Sequence, residues 1–233
     1  MAMCTSYKVG RDIDFGSLFD VEATGEWQEE IYKDYVAPIV MHDMTGARVF
    51  RLATFGMVPR KRIARGVKVF DTMNCRMETV ATKRSFSDAW RAGQVCLIPC
   101  TAFYEPNYES GKAVRWSIGM ADAQPFAIAG LWRTWDEEEG VAISFTMLTL
   151  NADPHPLLSR FHRPGAEKRG VVIVPPTQYE AWLTCRDAEI ARTFLQLTPA
   201  DQMAACAAPL PPRTAAPAGA DLFELTPPNN GRS

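Results

Sequence analysis

A chain of 233 residues can bury a sizeable core without disulfide or metal staples. Its 47% hydrophobic and 22% charged residues are ordinary globular usage, which excludes a wholly disordered, collagenous or coiled-coil protein. Net charge is only −2, no apolar run approaches the roughly 18 residues that span a bilayer, and the opening MAMCTSYKVGRDIDFG lacks the apolar centre of a secretory signal; the expectation is a cytoplasmic monomer without membrane contact.

In chain order, Trp27 to Tyr35 (WQEEIYKDY) has helical composition, and Val36-Ala37-Pro38 breaks it toward an extended segment. Arg48 to Gly56 is rich in β-formers and ends at glycine, which predicts a strand. The loop that follows, PRKRIARG, opens a concentration of charge hidden by the total. Between Arg48 and Arg84 ten basic residues stand against Asp71 and Glu78, a local net of +8, while the rest of the chain sums to −10. Such a block fits a polyanion track as readily as a solvated face. Ser85 to Ala92 reads as a short helix with Ser85 as N-cap and Gly93 as stop. Val95 to Ile98, Val114 to Ile118, Phe126 to Trp135, Val141 to Leu150 and Gly170 to Val174 are β-rich runs bounded by turn residues, and they place Phe126, Trp132 and Trp135 in the core. With little helix among them they predict an α+β fold built on a mixed or antiparallel β-barrel. Helices are expected over Gln178 to Cys185 and Asp187 to Leu197. Seven of the 17 prolines fall in the last 35 residues, so the chain divides into a domain over residues 1–208 and a Pro/Ala-rich, mobile tail over 209–233.

Six cysteines lie scattered without paired CxxC spacing, so neither a zinc site nor a disulfide framework is indicated and no cofactor is expected. Cys96 and Cys100 flank Leu97-Ile98-Pro99 and read as buried small hydrophobes. Cys4 differs, because no packing argument requires a thiol directly after Met3. Once residues 1–3 are removed, or translation starts at Met3, Cys4 carries an α-amine and a thiol on adjacent carbons. An amine with a pKa near 8 is partly neutral at physiological pH and attacks aldehydes. The tethered thiolate then closes onto the imine as a five-membered thiazolidine.

Several other polar residues sit in unusual company: Asn74-Cys75-Arg76-Met77-Glu78-Thr79, a Leu97-Ile98-Pro99 run leading to Phe103-Tyr104-Glu105, an Ala129-Gly130-Leu131-Trp132 strand, and His162 ahead of Val171 to Val174. Together with Met3-Cys4, and in this order, the blocks resemble the SOS response-associated peptidase (SRAP) family of abasic-site processing proteins. The resemblance spans roughly Met3 to Leu197. Relative to the family pattern, Phe55 stands where a Trp is usual and Pro164 to Lys168 is an insertion after His162.

The resemblance implies a barrel that binds single-stranded DNA containing abasic sites, nucleoid-associated when DNA is damaged. Cys4 would be the crosslinking nucleophile and Asn74 would hold the terminus or sugar. Glu105 would be the acid/base for ring opening and imine formation, and His162 a proton donor near the sugar oxygen. Arg76 would grip a phosphate, Arg60 and Arg62 would extend the basic track, and Phe55 or Tyr104 would stack on a base. Each of these residues also fits a plain structural role, and His42 and His155, outside every block, are read as structural. Three functions remain open: a covalent trap for abasic sites, a thiol autopeptidase that removes its own leader, and a passive single-strand binding module.

Overall fold

The computed structural model describes residues 6–211. The tail beyond residue 211 and the first five residues lie outside the described part. In chain order the elements are β1 (Ser6–Lys8), α1 (Phe15–Phe19), β2 (Glu30–Tyr32), β3 (Val36–His42), β4 (Arg48–Phe55), β5 (Asn74–Arg76), α2 (Ser87–Arg91), β6 (Val95–Cys100), β7 (Ala102–Asn107) and β8 (Val114–Met120). There follow β9 (Phe126–Glu137), β10 (Gly140–Asn151), β11 (Arg169–Val171), β12 (Ile173–Val174), α3 (Tyr179–Thr184), α4 (Ala188–Thr193) and β13 (Met203–Ala207).

Five strands close on themselves. β3 pairs with β4 and β6, β6 with β9, β9 with β10, and β10 returns to β4 through the parallel pairs Ser144 with Thr54 and Phe145 with Phe55. Closure removes the open edges that a sheet of these apolar strands would otherwise expose. The β9–β10 hairpin separates at its far end, where Val172 fills the fork: its N–H donates to Leu148 and its carbonyl accepts from Ala129. Gly130 sits at the tightest crossing, since a Cβ there would lie 2.6 Å from Ile98 Cδ1 and 2.8 Å from the Thr146 carbonyl.

A second sheet, in the order β13-β8-β7-β1-β2, lies against this barrel. Between β6 and β7 the chain passes from the barrel to this sheet through one residue, Thr101, whose N–H donates to the Lys8 carbonyl at 2.8 Å. Tyr7 of β1 is fully buried and meets the edge of the Phe55 ring at 5.3 Å, while Phe55 stacks on Phe145 at 5.3 Å. Each such ring contributes about 2–3 kcal/mol by leaving water.

The expected strands, the α+β class and the barrel are present, with three local corrections. Trp27 to Tyr35 is not a helix. Ile31 is buried opposite Tyr7 between the more exposed Glu30 and Tyr32, so pairing of β2 with β1 overrides a helical composition. Helix α2 starts at Ser87 with no side-chain cap, so Ser85 does not serve as N-cap, although Gly93 (φ +61°) ends the turn as expected. Trp135 is half-buried rather than core: its indole Nε1–H donates to Ser144 Oγ, and the guanidinium groups of Arg133 and Arg62 lie 4.1 and 5.4 Å from its ring centroid.

Candidate functional site

Glu105 and His162 meet beside the last residues of β7, where Asn107 bridges to Phe161. On β7 the side chains alternate, so Phe103 and Glu105 point inward and Tyr104 outward. Glu105 is only 4% exposed, and burial holds its carboxyl well above the usual carboxylate range. Its one facing ionisable partner among the described residues is His162, whose Nδ1 lies 3.5 Å from Glu105 Oε2. His162 adopts a left-handed backbone (φ +65°), a conformation that costs a non-glycine residue about 1 kcal/mol or more. Three contacts hold it there: its N–H donates to the Pro106 carbonyl at 2.8 Å, its carbonyl accepts from Lys168 Nζ at 3.1 Å, and its Nε2 meets the Arg169 carbonyl at 3.2 Å. The result is a protonatable acid against an imidazole in a dry setting, an arrangement suited to proton transfer.

Asn74 and Arg76 lie on β5, which runs parallel to β10 with Asn74 opposite Met147 and Arg76 opposite Thr149. Alternation puts both on one face and turns Cys75 into the core, where burial raises its thiol pKa and makes it inert. Asn74 is buried. Arg76 is partly exposed and its Nη1 donates to Glu167 Oε2 at 2.6 Å. Glu167 Oε1 accepts from Arg169 Nη1 at 2.8 Å, and Arg169 in turn grips both oxygens of Glu78 at 2.8 Å. Burial works against the charge on Glu78 and Glu167, but the hydrogen bonds from Arg169 outweigh it and hold both carboxyls below their usual range. A continuous polar chain thus runs from Arg76 through Glu167 and Arg169 to His162 and Glu105.

The other sequence candidates divide. Cys4 lies outside the described residues. Ser6 pairs with Tyr104, so the described chain begins one ladder position from Glu105. Tyr104 is half-buried on the outer face with the Arg115 guanidinium 3.3 Å over its ring. Phe55 is fully buried between Tyr7 and Phe145 and offers no ring face to a base; its expected stacking role does not survive, because the position faces the barrel interior. Arg60 is exposed in a 3-10 turn, whereas Arg62 donates to Glu137 Oε1 at 2.5 Å and Lys61 to the same oxygen at 2.6 Å. With Arg48 on Glu180 and Arg76 on Glu167, carboxylates from the acidic remainder cancel part of the +8 block. No group of three or more His, Cys, Asp or Glu side chains is arranged to hold a metal among the described residues. No helix there is long and apolar enough to cross a membrane.

A sequence profile of the SOS response associated peptidase (SRAP) family matches residues 5–209. The chain belongs to the SRAP family. It is 26% identical over 170 residues to the abasic site processing protein YoqW of Bacillus subtilis, covering 71% of each chain. It is equally similar to YobE of the same organism, also named an abasic site processing protein, covering 71% of this chain and 73% of that one. Among solved structures, a Bordetella bronchiseptica protein superposes with a TM-score of 0.79 at 34% identity, covering 89% of this chain and all of the other. A Bacteroides thetaiotaomicron protein shares the fold at 18% identity, TM-score 0.68, over 88% of this chain and 91% of that one.

What sequence reading of this SRAP chain missed is the buried cation at its centre. Arg169 has a side chain only 2% exposed, and it organises Glu78 from the Asn74–Thr79 block and Glu167 from the loop ahead of β11. A signal was present. An arginine at the head of the apolar run Gly170 to Val174 requires carboxylate partners if that run is buried. His155 bears out its structural reading, with Nδ1 accepting from the N–H groups of Leu157 and Leu158 and Nε2 meeting the Thr198 carbonyl.

Proposed function

We propose that this chain processes abasic sites in single-stranded DNA as a monomer, by forming a thiazolidine between Cys4 and the ring-opened sugar. The names of YoqW and YobE support the substrate class. The observation that carries the chemistry is the buried Glu105–His162 pair, one ladder position from the residue at which the described chain begins.

The freed α-amine of Cys4 attacks C1 of the aldehyde and forms a carbinolamine. Glu105, kept protonated by burial, donates a proton to the departing hydroxyl, and one water leaves as the imine forms. The thiol then adds across the C=N bond, sulfur to carbon and proton to nitrogen, with no further leaving group. His162 takes up the proton that the nitrogen loses as the imine forms, passes it back to Glu105, and assists opening of the sugar ring at its oxygen. Asn74 orients the terminus or sugar, Arg76 and Arg60 hold flanking phosphates, and Tyr104 offers the outward ring. Exposure of the amine requires the Met3–Cys4 bond to be hydrolysed when the chain starts at Met1, a thiol-peptidase step that uses the same Cys4, Glu105 and His162.

The test is incubation of the purified chain with abasic single-stranded DNA followed by denaturing electrophoresis. A denaturation-resistant adduct is expected, absent with Cys4→Ala and from DNA without the lesion. DNA binding with no adduct from the native chain leaves only a passive binding module.

A further inference from the structure

Glu167, to which the sequence reading assigned no role, occupies the cation meant for DNA. Its Oε2 takes Arg76 Nη1 at 2.6 Å, while its Oε1 takes Arg169 Nη1 at 2.8 Å and Asn151 Nδ2 at 3.4 Å. Arg169 does not need this carboxylate for neutrality, because Glu78 already binds both of its terminal nitrogens. Arg76 has no other carboxylate within ion-pair distance among the described residues. The four side chains carry two charges of each sign, so the arrangement presents Arg76 to solvent with its charge cancelled. The contact is also openable: Arg76 and Glu167 are 34% and 31% exposed, while Arg169 beneath them is 2% exposed. Carboxylate and phosphate oxygens offer a guanidinium the same acceptors.

We propose that Glu167 competes with a DNA phosphate for Arg76 and so sets the affinity and salt sensitivity of the DNA interface. The inference rests on the proposed function and adds the residue that tunes it. Binding exchanges one ion pair for another: Arg76 turns to the phosphate, and Glu167 stays on Arg169 and Asn151. The phosphate contact therefore yields less than an unopposed arginine would supply, and the nearby carboxylate repels the strand.

The experiment is a fluorescence-anisotropy titration of the full chain with a short labelled oligothymidine strand, repeated across salt, for the native chain, Glu167→Gln, Arg76→Ala and the double variant. Glu167→Gln is expected to bind roughly threefold tighter at low salt, the scale of one partly exposed ion pair. Its log–log salt slope should steepen by about 0.7, one single-strand phosphate contact. In the Arg76→Ala background the gain should vanish. Glu167→Ala serves as the second variant and should act likewise, and thermal melts establish that each is folded. Unchanged or weaker binding by the folded Glu167→Gln variant overturns the proposal, as does a gain that persists without Arg76. Failure of the underlying reading looks different: the native chain would bind no strand, or Arg76→Ala alone would leave affinity and salt slope untouched.

Discussion

Arg169→Met is the substitution that most directly probes what holds the site together. Methionine keeps most of the aliphatic stem and removes a guanidinium that donates five hydrogen bonds, two to Glu78, one to Glu167 and two to Thr149. Breaking a fully buried ion pair costs about 3–5 kcal/mol and an exposed one about 0–1 kcal/mol. Here the cation is 2% exposed, but Glu78 and Glu167 are 48% and 31% exposed and regain water. The Thr149 carbonyl also keeps the Met77 N–H at 3.1 Å, so no buried acceptor is orphaned. The expected loss is therefore intermediate, about 2 kcal/mol, which for a domain of this size lowers Tm by about 4–8 °C. The assay is thermal unfolding followed by circular dichroism at several pH values. Because Glu78 and Glu167 are held below their usual range in the folded state, the stability they contribute is present above the ordinary carboxylate pKa and is lost as pH falls through their folded values. The gap between native and variant should thus be full at pH 7 and close in acid. An unchanged Tm at pH 7, or a gap that persists undiminished in acid, would refute the charge network as the source of stability.

Glu105→Gln should show the opposite sign. Burial raises the Glu105 pKa, so the folded state binds its proton more tightly than the unfolded chain does, and stability falls as pH rises from the unfolded value of 4.5 toward the raised one. The variant should melt higher than the native chain at pH 8 and alike at pH 4, and equal destabilisation at both would contradict a neutral buried acid; adduct formation should slow regardless. Phe55→Ala should cost about 3–5 kcal/mol of stability in denaturant unfolding, the penalty of an emptied core site. If it instead weakened DNA binding with stability intact, the core placement of that ring would be wrong.

The barrel was legible in the sequence because its strands are apolar, β-branched and bounded by turn residues, as in Val95 to Ile98 and Phe126 to Trp135. β2 was not. Its three residues carry one buried side chain, Ile31, and only the opposing Tyr7 explains why they extend. β7 was also missed as a strand, because Glu105 and Pro106 disguise a segment that pairs on one side with β1, distant in sequence, and on the other with the following strand β8. For the site, the motif blocks supplied Glu105, His162, Asn74 and Arg76 as separate candidates. The connection of Arg76 with His162 and Glu105 ran through Glu167 and Arg169, where a charge at a strand end gave the only hint. Phe55 was assigned a stacking role by the resemblance alone, whereas its position in the closed barrel points the ring inward.

The central claim, that Cys4 joins the abasic sugar as a thiazolidine, is tested most directly by intact mass of the adduct. The expected species is a protein chain beginning at Cys4 plus the DNA strand minus one water, with the modification mapped to the Cys4 peptide. An adduct on a chain still beginning at Met1, or one mapped to any other residue, would contradict it.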